Sequence, residues 1–263
     1  MKRIFVISLF LMACDNGPNF ANLCEENPEI CQEFTEDSWC KKERINIGFA
    51  NLEQKQDPKD INQFNQLVAY EAYEKCVSHA SKIEHIKLKE KTTKRVNNML
   101  KARERIKEIS EETRSSDHPR LLYFHWTRYM DEAALEKFLS YEGSSELETP
   151  ESQFELATYY AKRDPQKTIG VLFHALELHQ EPNPINPEIF KSLSSIFTDK
   201  EKYKQGYIWL KVLSLYSPDD KDLTAESLSQ YSRFYNLDAA FLDKAAELTL
   251  EKIRAGNFTA PKY

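Results

Sequence analysis

The sequence predicts an all-α fold in which helical hairpins stack as a short α-α superhelix behind an N-terminal helical segment stapled by disulfides. Three observations carry the prediction. Six Gly, six Val and eleven Pro in 263 residues are a poor recipe for sheets. Apolar residues recur at spacings of three and four through stretches that contain neither Gly nor Pro. In the second half, prolines follow directly on side chains that cap helices. A chain that is 30% charged and 12% aromatic is neither disordered nor a polytopic membrane protein. With 36 basic against 42 acidic residues, the net charge of -6 argues against a nucleic-acid partner.

At the N-terminus, Lys2 and Arg3 precede an apolar run from Ile4 to Ala13. Ten residues span about 15 Å as a helix, roughly half the hydrocarbon thickness, so the run reads as a signal peptide over residues 1–13 that is removed. Leu11-Met12-Ala13-Cys14 resembles the lipobox of bacterial lipoproteins, although Met12 stands where a small residue is usual. The resemblance implies a diacylglycerol on the Cys14 sulfur and an acylated new amino terminus. At about 0.8 kcal/mol per buried CH₂, two or three acyl chains tether a protein to a bilayer. Asp15 resembles the signal that retains lipoproteins in the inner membrane, so the expected address is the cell envelope, lipid-anchored and facing the periplasm, with the inner membrane favoured over the outer.

Cys24, Cys31, Cys40 and Cys76 remain, an even number in a chain exported to an oxidising compartment, and two disulfides are expected. Four cysteines allow three pairings and the sequence does not choose among them. Cys24 with Cys31 and Cys40 with Cys76 is the working expectation. Gaps of seven, nine and thirty-six residues lack the close pairs of a zinc site, so no metal is expected.

Residues 14–57 read as a lipidated tether and a Cys-containing cap with little periodicity. Residues 58–148 read as an N-terminal helical region. From Lys59 to His118 there is no Pro or Gly, and Phe64, Val68, Ala72, Cys76, His79, Ile83 and Ile86 form one helix face. Val96, Met99, Leu100, Ile106 and Ile109 continue helically after a break expected near Thr92 and Thr93. Leu121 to Tyr129 and Ala133 to Tyr141 make a further helical pair. Across residues 149–263, Thr149-Pro150, Asp164-Pro165 and Asn186-Pro187 each mark a helix start. An offset of 37 residues relates Leu156 to Leu193, Tyr160 to Phe197, Ile169 to Gly206, Phe173 to Leu210 and Leu176 to Leu213. A third unit, Leu228 to Ile253, ends with Gly256 as its C-cap.

The small residue after Leu, the aromatic three further on and His174-Ala-Leu-Glu-Leu-His179 before a Pro resemble tetratricopeptide or Sel-one-like repeats. As a whole, with stretches such as KIEHIKLKEKT at 82–92, HPRLLYFHWTR at 118–128 and YKQGYIWLKV at 203–212, the chain is similar to an uncharacterised family of gammaproteobacterial lipoproteins, a domain of unknown function. No activity or functional residue comes with that resemblance.

Catalytic motifs are absent: there is no G-x-S-x-G, G-x-G-x-x-G, Walker A loop or H-E-x-x-H. His174 and Glu177 share a helix face, but His179 at i+5 points elsewhere. Lys87, Lys91, Lys94, Lys101 and Arg105, with Asn98 in the gap, form a basic stripe that reads as a solvated face or as a contact for anionic headgroups. The expected function is a membrane-anchored scaffold or adaptor for a protein or peptide of the envelope, without cofactor or chemistry of its own. The alternative is an envelope enzyme of cell-wall hydrolase type. Its pocket candidates are Glu84, His85, His125, Trp126 and Arg128, in a cleft between the N-terminal helices and the repeats.

Overall fold

A computed structural model describes residues 19–84, 88–220 and 223–261. Residues 1–13, expected to be a leader, together with Cys14, Asp15, His85, Ile86 and Lys87, lie outside the described residues. Within them the fold is all-α, with thirteen α-helices, one 3-10 turn and no strand. None of these helices is long and apolar enough to cross a membrane. The chain divides into two compact units, residues 1–121 and 122–263.

Unit 1 holds α1 (Phe20–Glu26), α2 (Pro28–Cys31), α3 (Lys41–Gln56), α4 (Asp60–Ser81) and α5 (Lys89–Glu112). α4 packs against α3 and against α5. Cys24 bonds Cys31 and Cys40 bonds Cys76, which selects one of the three possible pairings. The first bond closes the α1–α2 turn, and the second ties the N-cap of α3 to α4. α3 is a sixteen-residue helix inside the segment expected to be an aperiodic cap. Its buried face includes Arg44 and Gly48, which break an apolar pattern, and Gly48 admits the Phe20 ring.

The buried face of α4 also differs from the expected one. Phe64, Leu67, Tyr70, Tyr73, Val77 and Ala80 are buried, while Val68, Ala72 and His79 face solvent. Two adjacent stripes on this helix are helically spaced, and the tyrosines decide between them. Each aromatic ring buries more surface than Val or Ala, and Phe34 packs at 4.6 Å from Tyr73 and 6.1 Å from Tyr70. The break between the long helices falls between Ser81 and Lys89, so Thr92 and Thr93 lie inside α5. α5 buries Arg95, Asn98, Ala102 and Ile109, and leaves Leu100 exposed. Asn98 is turned inward, exchanging hydrogen bonds with the backbone of Thr35 at 3.1 and 2.8 Å. Arg105 pairs with Glu33 and Glu108. The basic stripe is therefore not one solvated face.

Unit 2 takes in most of α6 (Pro119–Tyr129), then α7 (Glu132–Ser140), a 3-10 turn at Ser145–Leu147, α8 (Pro150–Tyr160) and α9 (Pro165–Glu177). It continues with α10 (Glu188–Asp199), α11 (Tyr203–Tyr216), α12 (Ala225–Phe234) and α13 (Ala239–Arg254). α8 pairs with α9, α10 with α11, and α13 packs on α11. The Pro-marked starts follow the capping chemistry. Thr149 accepts from the Ser152 N–H and Asp164 from the Lys167 N–H, with Pro in the first turn of each helix. α10 begins one residue later than expected, with Pro187 at the N-cap and Asn186 Oδ1 accepting from the Glu188 N–H at 3.0 Å.

The sequence reading drew a boundary at 148/149, which placed α6 and α7 with the N-terminal helices. Side-chain packing joins them to the repeats, because Leu122, Ala134, Phe138, Leu147 and Leu156 form one apolar cluster. The core of the unit gathers Leu172, Phe173 and Leu176 from α9, Phe190, Leu193 and Phe197 from α10, and Trp209, Val212 and Leu213 from α11. Leu156 and Leu193 are both buried, as are Leu176 and Leu213. Tyr160, related by the offset to the buried Phe197, is instead half-buried, because its hydroxyl donates to Glu142 and accepts from Lys167. Glycine is scarce, so other residues take the left-handed position that closes a helix. Glu201 (φ 58°) and Asn236 (φ 51°) do so after α10 and α12, and Gly256 (φ 66°) ends α13 as expected.

Candidate functional site: a groove between alpha8, alpha9 and alpha10

In unit 2, α8 and α10 carry small or hydroxyl side chains toward one groove of about 370 Å³, which α9 also lines through Thr168 and Leu172. Phe154, Ala157 and Leu172 give it an apolar floor, and Thr158, Ser192 and Ser195 line it with hydroxyls. Ala161 closes one end beside the C-terminus of α8, and Lys191 stands at the α10 edge. Small residues leave the space open, since the backbones of α8 and α10 are not bridged by bulky side chains there. Lys191 is held by Glu188 at 3.0 Å and Asp220 at 3.6 Å, which fixes a cation at the rim.

Beside the groove runs a row of rings. Tyr123 meets Trp126 edge to face at 5.7 Å, Trp126 meets Tyr159 at 5.8 Å, and Tyr159 meets Tyr160 at 4.9 Å. The Tyr123 hydroxyl is 2.7 Å from Thr158 Oγ1, so a hydrogen bond joins the row to the groove. Arg163 lies 4.2 Å over Tyr159 and Lys167 3.9 Å over Tyr160. Lys167 also pairs with Glu142 at 2.7 Å, and the hydrogen bonds it donates to Glu142 and Tyr160 hold its ammonium above the ordinary lysine range. Glu142 sits below the usual carboxylate range, burial being outweighed by the Lys167 and Tyr160 hydrogen bonds. Such a surface offers stacking faces, fixed cations and hydroxyl groups, which suits noncovalent recognition.

Of the pocket candidates read from the sequence, Trp126 joins this row. His125 is 3% exposed, turned inward against Phe124 and Tyr129, and Arg128 lies over Phe124 at 5.6 Å. Glu84 is an exposed residue of unit 1, and His85 lies outside the described residues. His174 engages Glu148 at 2.8 Å and Glu177 at 3.4 Å, while His179 is buried. Among the described residues, possible metal-ligand atoms converge at Cys40, Glu43 and Cys76, where both sulfurs are committed to a disulfide. Sequence reading missed Thr158, Ser195, Tyr159 and Tyr160. One signal was available: Thr158 and Ser195 are themselves 37 residues apart, a hydroxyl repeated in register.

Fold and groove together define an all-α protein of packed helical hairpins with an open groove. The chain belongs to the family described as Protein of unknown function (DUF2989), whose model matches residues 11–211. No curated protein and no solved structure matches it.

Proposed function

We propose that this chain is a membrane-anchored lipoprotein, lipidated at Cys14 and facing the periplasm. Its helical hairpins hold an extended segment of another envelope protein in the groove between α8, α9 and α10. The observation that carries the reading is the groove itself, open between α8 and α10 and lined in repeat register by Thr158 and Ser195. An extended peptide presents main-chain donors and acceptors that hydroxyl groups can meet, while its apolar side chains find Phe154 and Leu172. Stacked hairpins present such surfaces because each buries its inner face only against its neighbours.

A photoreactive side chain at Ser195, introduced in cells, is expected to crosslink one defined envelope protein from membranes. Ala161→Trp, which fills the groove from an exposed position, is expected to abolish that adduct, and Leu100→Arg on the exposed face of α5 to leave it unchanged. An adduct insensitive to Ala161→Trp, or no adduct at all, overturns the groove as the binding surface. Mass spectrometry of the mature N-terminus tests the anchor separately. An acylated Cys14 is expected, and an unprocessed Met1 refutes it.

A further inference from the structure

The last described helix of unit 2 is packed on one side only. α13 buries Leu242, Ala246, Leu250 and Ile253, and with them it rests on α11. Its outer side faces solvent and is not uniformly polar, since Phe241 is 68% exposed and Leu248 51%. Phe234, 81% exposed at the end of α12, stands across the short turn that leads into α13. Arrays of helical hairpins ordinarily finish on a polar outer face, because an apolar one invites further stacking.

The charges on this face follow a definite order. Seven residues are close to two turns of helix, so Phe241 and Leu248 lie in line, and Lys244 and Glu251 lie in line along one flank. Lys244 and Glu251 are exposed, and neither makes an ion pair among the described residues. About 10 Å of helix separates them, too far for them to pair with each other. Ala245 and Lys252 lie along the other flank.

That order selects the partner. A second α13 laid parallel would set Lys244 against Lys244 and Glu251 against Glu251. Laid antiparallel about a two-fold axis at Leu248, it sets Leu248 against Leu248 and each Lys244 against the Glu251 of the other copy. The Lys252 stem then crosses Ala245 of the other copy, and Phe241 reaches its exposed Ala255. An anionic bilayer matches this face less well, because Glu247 and Glu251 offset Lys244 and Lys252.

We infer that the outer face of α13 is a self-association surface, on which a second copy of this chain docks antiparallel with Leu248 on the two-fold axis. A single helix face lies at the small end of specific interfaces, so the dimer is weak and depends on concentration. The face shares no residue with the groove between α8, α9 and α10.

The test is sedimentation of the full chain carrying Cys14→Ser, which keeps acyl chains out of the measurement. A monomer is expected at about 1 µM and a dimer by about 1 mM. Leu248→Glu, which sets two carboxylates on the axis, is expected to weaken association at least tenfold without changing the melting temperature. Lys244→Glu and Glu251→Lys are each expected to weaken it about tenfold. Mixed together, these two variants are expected to associate again, because each supplies the charge that the other lost. A monomer at every concentration, whether or not the face then binds phosphatidylglycerol vesicles, overturns the inference. So does a dimer insensitive to Leu248→Glu, or a mixture of the charge variants that stays monomeric.

Discussion

Arg95 closes on the carboxylate of Asp37 across 58 residues of sequence, and both side chains are buried. The guanidinium also donates to the Ala80 carbonyl at 2.8 Å and lies 5.6 Å under the Trp39 ring. α5 is thereby fastened to the end of α4 and to the loop before α3 by one side chain. Removing one partner of such a pair leaves a buried charge uncompensated, so Asp37→Asn is expected to cost about 3–5 kcal/mol in urea unfolding. Replacing both, as Asp37→Leu with Arg95→Met, is expected to cost much less. A double variant as unstable as the single one would show that the charges themselves, and not their pairing, are required.

The same pair sets a pH dependence. The Arg95 hydrogen bond holds the Asp37 carboxyl below its ordinary value of 3.8. A carboxylate depressed in the folded state binds fewer protons there than in the unfolded chain, so its contribution is fully present above pH 3.8. It is lost as pH falls through the folded value. His118 acts in the same direction at milder pH, since burial lowers its folded value below 6.5 and the unfolded chain takes up the proton first. Stability measured by urea unfolding is therefore expected to decline from pH 6.5 downward, and again below pH 3.8. In Asp37→Asn the second decline is expected to be shallower.

The two disulfides close loops of different length, with sequence separations of 7 and 36. Loop-closure entropy gives about 2.5 kcal/mol for the shorter and about 3.8 kcal/mol for the longer. Thermal melting of the paired serine variants is expected to show Cys40→Ser with Cys76→Ser as the more destabilised by roughly 1 kcal/mol. The opposite order would mean that the α1–α2 turn contributes contacts of its own.

Two glycines related to the repeat register should respond in opposite ways to alanine. Gly170 lies within α9, exposed, with open space where a Cβ would stand, so Gly170→Ala is expected to stabilise by about 0.8 kcal/mol. A Cβ on buried Gly206 would stand 2.5 Å from the Tyr231 hydroxyl and 2.6 Å from Thr198 Oγ1, which are hydrogen-bonded to each other. Gly206→Ala is expected to destabilise by about 1–3 kcal/mol. Chemical denaturation of the two variants side by side checks the contrast.

Glu201 holds a left-handed conformation at φ 58°, and the hydrogen bonds that close α10 run through it, from Glu201 N–H to Thr198 at 2.9 Å and from Lys202 N–H to Phe197 at 2.8 Å. Glu201→Gly is expected to stabilise by about 1 kcal/mol, and Asn236→Gly by less, because Asn tolerates this region better. Equal gains in melting temperature would contradict that ordering.

What the sequence disclosed divides by the range of the interaction. Caps are local, so Thr149, Asp164 and Gly256 could be placed from neighbouring residues, and the helix starts of α8 and α9 followed. The face of α4 depends on what packs against it, and two stripes one residue apart were equally periodic; Phe34, thirty-six residues upstream, is what Tyr70 meets. α3 escaped notice because its buried face spends positions on Arg44 and Gly48. Asn98 reads as part of the basic stripe, and Arg95 gives no signal of its own, because nothing nearby in sequence announces Thr35 or Asp37. Trp126 joins the row of rings beside the groove, whereas His125 on the same helix turns inward, a choice that only the packing of α6 makes.

Phe258, beyond the end of α13, packs at 5.9 Å from Phe173 of α9 and 6.2 Å from Trp209 of α11, and the Ala260 N–H donates to Glu177 at 2.7 Å. Arrays of helical hairpins ordinarily come apart one repeat at a time, because each repeat touches only its neighbours. Here the tail returns past α11 to the first hairpin and laces the far end of unit 2 to its middle. Fraying from α13 alone would tear Phe258 out of the core shared by α9 and α11. Unit 2 is thus wired to open as one cooperative block, with hydrogen exchange in α9, α11 and α13 governed by a common opening event.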